Sequence, residues 1–348
     1  MQDIFEEYLR EKEPQKKEKG YAWHTAIGLQ AVDGLETSEY LIDTAKKNIE
    51  GDITFEEANK LIHSYYKENI KHIGNDRTEE ADKVSVRIAQ ILSEKSFVFS
   101  PAQYISIHKR LFDGVYKHAG EIRDYNITKA EWVLDGDTVM YGGALDLRAT
   151  LDYDFSVEKE FSYKGLSIDE TIKHLAVFIS RLWQIHIFGE GNTRTTAVFF
   201  IKYLKTLGFD VTNDIFAENA WYFRNALVRA NYTNLKKDIH ETTEFLESFL
   251  RNLLLGENNE LKNRYLHIKS VSKCQNDTLD DGLNVTLEES VVLNLLKENP
   301  KITQKQISTE IKKSDRTVKR IILSLQEKEI IVREGGKRFG YWKFLKDI

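Results

Sequence analysis

The sequence predicts a mainly α protein with a β-hairpin laid over its helical core and a basic module of helices and strands at its C-terminal end. Three observations carry that reading. Apolar residues recur at helical spacing through most of the first 255 positions, and only three prolines interrupt the whole chain. Between Gly120 and Tyr153 the pattern changes, and 131–141 reads as a hairpin turning on Asp135-Gly136. Beyond 285 the charge reverses: residues 288–348 hold 14 Lys+Arg against 9 Asp+Glu, net +5 on a body of net −10.

The elements follow in order. Positions 10–19 are charge-rich and read as a solvated helix end or loose tail. Helical patterns occupy 23–32, 38–49 and 54–68, with Gly34 and Gly51 as C-terminal stops and Thr54 with Glu57 as a capping box. Ser100-Pro101 supplies an N-cap followed by proline in the first turn of a helix that continues through Ile105 and Leu111. Ser167 with Glu170 caps a helix reaching Ile185, whose Leu175, Phe178, Ile179 and Leu182 share a face. Val198, Ile201 and Leu204 mark the next helix, stopped by Gly208, and the aromatic run 221–223 reads as core of a later one. From 256 to 284 the apolar rhythm lapses, as in a linker that is partly helical. Helices are then expected at 289–298, 303–312 and 314–329, and two strands around Gly335-Gly336. The expected domains are 1–80, 81–255, a linker at 256–285, and 286–348.

Composition narrows the function classes. Hydrophobic residues at 41% and charged residues at 30% are ordinary for a globular protein, and a net charge of −5 gives no general bias towards nucleic acid or membrane. Cys274 is the single cysteine, which rules out an intrachain disulfide and a cysteine-rich metal site. The N-terminus lacks a basic and apolar leader, and no span is long enough to cross a bilayer, so a cytoplasmic protein is expected. No HExxH, Walker or dinucleotide-binding pattern is present. His118 and His174 read as surface or core-edge residues.

The chemistry concentrates in 186–194, His-Ile-Phe-Gly-Glu-Gly-Asn-Thr-Arg, a turn between two apolar helices. Gly191 and Asn192 open the second helix, whose unpaired N–H groups and positive dipole end suit a phosphate. Arg194 adds a forked cation for the same anion, and Glu190 could hold Mg²⁺, which takes carboxylate plus phosphate oxygens. His186 is the nearby group able to take a proton from an attacking hydroxyl near neutral pH. Transfer of a phosphorus-containing group is the chemistry implied.

This stretch resembles the signature of the Fic family, HxFx(D/E)GNGRxxR, whose members mostly move AMP from ATP onto a Ser, Thr or Tyr hydroxyl of a protein. The resemblance implies His186 as general base, Phe188 as loop anchor and Glu190 as the Mg²⁺ ligand. It implies a nucleotide site built from Gly189, Glu190, Gly191, Asn192, Thr193 and Arg194, with Arg194 as phosphate clamp. Thr193 departs from the second glycine of the motif, and Ala197 stands where the family has a second arginine, which meets the far phosphate of ATP. That phosphate is therefore expected to add little to binding. The hairpin matches the family's flap, where Asp137, Thr138 and Val139 would clamp a target backbone by strand addition. The stretch 223–231 resembles the family helix whose late Asn meets the nucleotide base, and Asn231 is the candidate there.

Residues 27–36 resemble the inhibitory helix of the antitoxins that silence Fic toxins, and 38–49 and 54–66 resemble the rest of that three-helix fold. The inhibitory motif is (S/T)xxxE(G/N). Here Leu29 replaces the hydroxyl residue, and Asp33 with Gly34 replaces Glu and its successor. Without a guanidinium at 197, Asp33 is expected to be mobile and a weak block. Ser64–Asn69 matches the motif literally and ranks second, because its surroundings resemble the antitoxin's third helix. The order of elements after 285 resembles a winged helix-turn-helix, with Arg316, Lys319 and Arg320 on its recognition helix and Lys337 and Arg338 on its wing. These could meet DNA phosphates, or serve an interaction module that never touches DNA.

Together these readings imply a Mg²⁺- and ATP-dependent protein adenylyltransferase whose target is a protein and could be the chain itself. DNA is a candidate partner through 286–348, a homodimer stays open, and no membrane is implied. Two alternatives stand: a DNA-binding regulator that senses a nucleotide, and a Fic enzyme moving another phosphate-containing group. Retention of His186 favours chemistry, since sensing needs the phosphate cradle but no base.

Overall fold

Capping residues and glycines set most helix ends where the sequence places them. The computed structural model describes residues 8, 13–68, 76–211, 214–271, 292–293, 295–297, 299–311, 314–327, 330–335 and 341–345. Helix α1 (Pro14–Gly28) starts well before the expected Trp23. Proline pre-sets its first turn, and two contacts to the next helix hold the charged run in place. Lys19 Nζ donates to Asn48 O at 2.8 Å, and the buried Trp23 donates its indole N–H to Asn48 Oδ1 at 3.0 Å. α1 passes into a 3₁₀ turn, Leu29–Asp33, ended by Gly34 at φ 66°.

Ser38 caps α2 (Glu39–Glu50), and the Thr54–Glu57 box forms at the start of α3 (Phe55–Glu68). α4 (Asp76–Ser93) packs along α1 and α3. Its Asp82 is fully buried and accepts from Ser38 N at 2.9 Å, Ser38 Oγ at 2.5 Å and Tyr66 Oη at 2.7 Å. Those bonds tie three helices at one carboxylate, the usual condition for burying a charge.

Ser100 caps α5 (Pro101–Phe112). The stretch 131–141 corrects the hairpin expectation: it turns on Asp135 (φ 56°) and Gly136 (φ 86°), yet forms a 3₁₀ turn, Trp132–Leu134, without paired strands. Glu131 and Asp137 close the loop through one backbone bond of 2.9 Å. Val133, Leu134, Val139 and Tyr141 are buried there, whereas Trp132 and Met140 stay exposed. α6 (Leu147–Glu160) and α7 (Ile168–Ile185, with the Ser167–Glu170 box) lead to α8 (Asn192–Thr206). α8 is buried on every side from Asn192 to Leu204 and forms the axis of the core.

A short α9 (Ile215–Glu218) approaches α1 so closely that a Cβ on Gly28 would lie 2.3 Å from Ala217 O. α10 (Ala220–Arg229) and α11 (Glu244–Leu255) follow; Tyr222 and Phe223 are buried as expected. The first part of the expected linker is packed: α12 (Asn263–Leu266) and α13 (Ile268–Val271) place Leu266 and Ile268 in the main core. His267 meets the Trp132 ring at 5.0 Å and Lys269 pairs with Asp135 at 2.6 Å. The rest of that linker, 272–285, lies outside the described residues.

The chain divides into two compact units, Met1–Lys273 and Cys274–Ile348. In the second, the described part of 289–298 is helical, α14 (Gln304–Glu310) begins with a Thr303–Gln306 box, and α15 (Asp315–Glu327) follows. β1 (Ile331–Glu334) and β2 (Tyr341–Phe344) pair antiparallel, Ile331 opposite Phe344 and Glu334 opposite Tyr341. Val292, Leu296, Ile307, Val318, Ile322 and Trp342 fill its own core. Lys319 and Arg320 are exposed on α15, whereas Lys337, Arg338 and the Arg316 side chain lie outside the described residues. Among the described residues no helix is long and apolar enough to cross a membrane.

Candidate active site

α7 ends on His186, which adopts the left-handed conformation at φ 49°. For a non-glycine residue that conformation costs roughly 1–3 kcal/mol and persists only where the surroundings enforce it. Arg123 enforces it here. Its Nε donates to His186 O at 2.7 Å, and Nη2 to Gly142 O at 2.6 Å and Ile185 O at 3.3 Å. Nη1 donates to Tyr125 O, and its own backbone N–H bonds to Ile187 O at 3.0 Å. The guanidinium thus gathers the carbonyls of the histidine turn and of the loop before α6.

The His186 ring is 3% exposed, packed against Tyr141 at 4.4 Å and Trp183 at 5.2 Å between centroids. Its Nδ1 faces Trp183 O at 3.3 Å, and a carbonyl only accepts, so the neutral ring carries its proton on Nδ1. Nε2 is then the bare lone pair, buried and without a hydrogen-bond partner among the described residues. Burial, with Lys129 next, pushes this imidazole well below the ordinary histidine range.

The loop after His186 is built by packing. Phe188 is fully buried and stacks on His108 at 3.7 Å. Asn192 closes the loop on itself, accepting from Phe188 N at 3.0 Å and donating to Phe188 O at 2.8 Å. Gly191, at φ 71°, leaves no room for a Cβ, which would lie 2.4 Å from the Phe112 ring. A Cβ on Gly189 would meet Tyr125 Oη at 2.6 Å and His118 Nε2 at 3.2 Å. His118, expected at the surface or core edge, therefore has a buried Nε2 against the signature loop. His108 accepts from Gly120 N at 2.8 Å through Nδ1, so Nε2 donates to Glu190 O at 3.0 Å; burial pulls its pKa down to about 4. Trp183 Nε1 donates to Thr193 Oγ1 at 2.9 Å, a role that a glycine at 193 could not fill.

Arg194 corrects the expectation for Asp33. Its Nε pairs with Asp33 Oδ2 at 2.8 Å, an ion pair outside hydrogen-bond alignment. Nη1 donates to Gln30 Oε1 at 3.0 Å, and Nη2 to Glu80 Oε1 at 2.6 Å and Tyr116 Oη at 3.0 Å. The guanidinium is 1% exposed and lies 4.8 Å over the Phe112 ring. Burial alone would lower its pKa, but Asp33, Tyr116 and Glu80 reverse this and raise it. Asp33 is therefore held by the first arginine of the signature, with Ala197 fully buried one turn on. In the literal motif at 64–69, Ser64 and Glu68 are exposed on α3, and Asn69 lies outside the described residues.

The expected target clamp is also tied in. Asp137 accepts from Tyr232 Oη at 2.6 Å, Thr138 Oγ1 accepts from Lys129 N at 3.3 Å, and Val139 is buried. Tyr141, packed on His186, donates to Glu131 at 2.9 Å, and Arg224 binds Glu131 through both Nη atoms at 2.7 and 3.1 Å. Asn231 donates to Ser180 O at 3.0 Å and Leu227 O at 2.9 Å. It lines a cavity of about 490 Å³ with Lys173, Arg181, Gln184 and Glu247, and none of residues 186–194 lines that cavity.

Glu190 is exposed, and its carboxylate makes no ion pair or hydrogen bond among the described residues. No group of three or more His, Cys, Asp or Glu side chains among them could hold a metal. One free carboxylate beside a helix N-terminus suits Mg²⁺ arriving with phosphate oxygens and waters.

Residues 98–204 match the Fic/DOC family model. The chain carries a Fic domain. The matched span runs from just before α5 to the end of α8, and so includes Arg123, His186, Glu190 and Arg194. Residues 291–332 match a winged helix-turn-helix DNA-binding model. Among solved structures, a Fic family protein from Desulfovibrio desulfuricans G20 is 12% identical, with 98% of this chain and 92% of that chain covered and a TM-score of 0.47. No curated protein matches this chain.

Proposed function

We propose that the protein is a protein adenylyltransferase, moving AMP from Mg²⁺-ATP to a Ser, Thr or Tyr hydroxyl of a protein target, with self-modification as one route. The observation that carries this reading is the bare Nε2 of His186, held neutral beside the α8 N-terminus. The target oxygen bonds to the α-phosphorus as the bond to the bridging oxygen breaks and pyrophosphate leaves. His186 Nε2 takes the hydroxyl proton. Charge builds on the phosphoryl oxygens as this happens, and the first-turn N–H groups of α8 are aimed to meet it. Glu190 would hold the Mg²⁺, which neutralises phosphate charge when bound.

Arg194 reaches the phosphates only after Asp33 and Glu80 let it go. The resting site is therefore restrained, and nucleotide affinity includes the cost of breaking two ion pairs. The test is to incubate the protein with Mg²⁺-ATP and with the other nucleoside triphosphates and weigh it intact. An AMP adduct that disappears with His186→Ala supports the reading. The winged-helix match favours a second reading, a DNA-binding regulator that senses the nucleotide. In that case nucleotide would change DNA affinity and no adduct would form.

A further inference from the structure

A cavity of about 320 Å³ lies between α3 and α4, lined by Asn59, Lys60, His63, Ser64, Lys83 and Arg87. None of residues 186–194 lines it. The two helices pack together, and Asn59 Nδ2 donates to Gln90 Oε1 at 3.4 Å across their seam. Lys83 and Arg87 stand four residues apart on α4, as Lys60 and Ser64 do on α3, so each helix presents its pair on one face. Ser64 is also the first residue of the literal inhibitory match at 64–69, a motif that the signature loop leaves unused.

The lining carries two lysines, an arginine and a histidine, and no carboxylate. Like charges around one space repel, the more so away from bulk water. Carboxylates act on these cations only from outside the lining: Glu79 pairs with Lys83 at 2.5 Å, Glu57 acts on Lys60 and Asp113 on Arg87. Glu57 is itself held by Thr54 N at 2.7 Å and Thr54 Oγ1 at 2.9 Å. Arg87 is anchored through Nη1, which donates to Leu111 O at 2.9 Å. Its Nε and Nη2, the Lys60 ammonium, the His63 ring and the Ser64 hydroxyl make no hydrogen bond or ion pair among the described residues. A set of unused donors and cations around one space is complementary to an anion with several oxygens.

We propose that this cavity binds a small phosphorylated anion, gripped by Arg87 and Lys83 from α4 and by Lys60 and Ser64 from α3. Arginine offers a planar fork and the lysines offer mobile point charges, a combination suited to phosphoryl oxygens. The volume is at the small end of small-molecule sites, which fits an anion of one or two phosphoryl groups. The inference does not rest on the transfer reading. It gives α4, whose Glu80 holds Arg194, a ligand site of its own.

Calorimetry with pyrophosphate on the full chain, without Mg²⁺ or nucleotide, tests this. Lys60→Gln with Lys83→Gln should weaken pyrophosphate on the order of tenfold or more, as loss of charged hydrogen bonds does. Lys60→Gln alone, at an exposed position, should weaken it severalfold, and Lys83→Arg should keep most of the affinity. Lys164→Gln with Lys236→Gln removes the same charge from exposed positions outside the cavity and should leave binding unchanged. Thermal unfolding of each variant separates a lost site from a lost fold. Equal affinity in wild type and Lys60→Gln would overturn the proposal, as it would place the anion elsewhere. Equal losses in the two double variants would overturn it too, and so would no binding by the wild type.

Discussion

A buried imidazole whose Nδ1 faces a carbonyl has one tautomer to offer, and His186 offers its bare Nε2 to the site. His186→Ala should lower transfer on the order of 10²–10⁴-fold and leave nucleotide binding largely intact. Because burial holds the free-enzyme pKa well below 6.5, the base form persists as pH falls through 6.5. The kcat/KM profile should therefore show no acid limb at the ordinary histidine position, and a limb centred near 6.5 would contradict the burial argument. Arg194 makes the opposite kind of prediction. Asp33→Asn and Glu80→Gln each remove one carboxylate that a phosphate must displace, so each should raise ATP affinity by about tenfold in calorimetry. His186, Glu190 and Arg194 were legible in the sequence because they lie within nine positions of one turn. Gln30, Glu80, Tyr116 and Arg123 were not, since each reaches the site across dozens of residues and bears no local mark. Asp33 is marked by its resemblance to the inhibitory motif, but its pairing with Arg194 is set by tertiary packing and has no local mark.

At the scale of elements, helix ends were readable wherever a side chain caps them: Ser38, Thr54, Ser100, Ser167 and Thr303 all do so. The loop at 131–141 departs from the expected hairpin because Asp135-Gly136 favours a chain reversal without dictating strands on either side. What fixes it is tertiary: Glu131 is gripped by Arg224 and Tyr141, and Asp137 by Tyr232. The exposed Lys269–Asp135 pair should matter little to stability, less than about 1 kcal/mol. Close approaches matter more. Gly28→Ala would drive a Cβ into the Ala217 backbone, and Gly189→Ala would press on Tyr125 and His118. Overpacking of this kind costs roughly 1–3 kcal/mol. Thermal unfolding should show the loss for Gly28→Ala, while Gly189→Ala should also depress transfer by moving the signature loop.

For the molecule as a whole, the charge pattern separates an acidic body from a basic tail, and the two compact units fall on either side of 273. If the tail binds DNA through α15, affinity should fall steeply with salt. Lys319→Ala with Arg320→Ala should then reduce the log–log slope by up to about 1.8, near 0.9 for each phosphate no longer neutralised. No retention on DNA at low salt would favour an interaction module. The central claim, that His186 performs the transfer while Asp33 and Glu80 hold the phosphate clamp, meets its most direct test in one measurement. Intact-mass spectrometry after incubation with Mg²⁺-ATP would compare the wild type, Asp33→Asn with Glu80→Gln, and that pair combined with His186→Ala. The account predicts more AMP adduct on the released pair than on the wild type, and none once His186 is gone. An adduct that persists without His186 would contradict it.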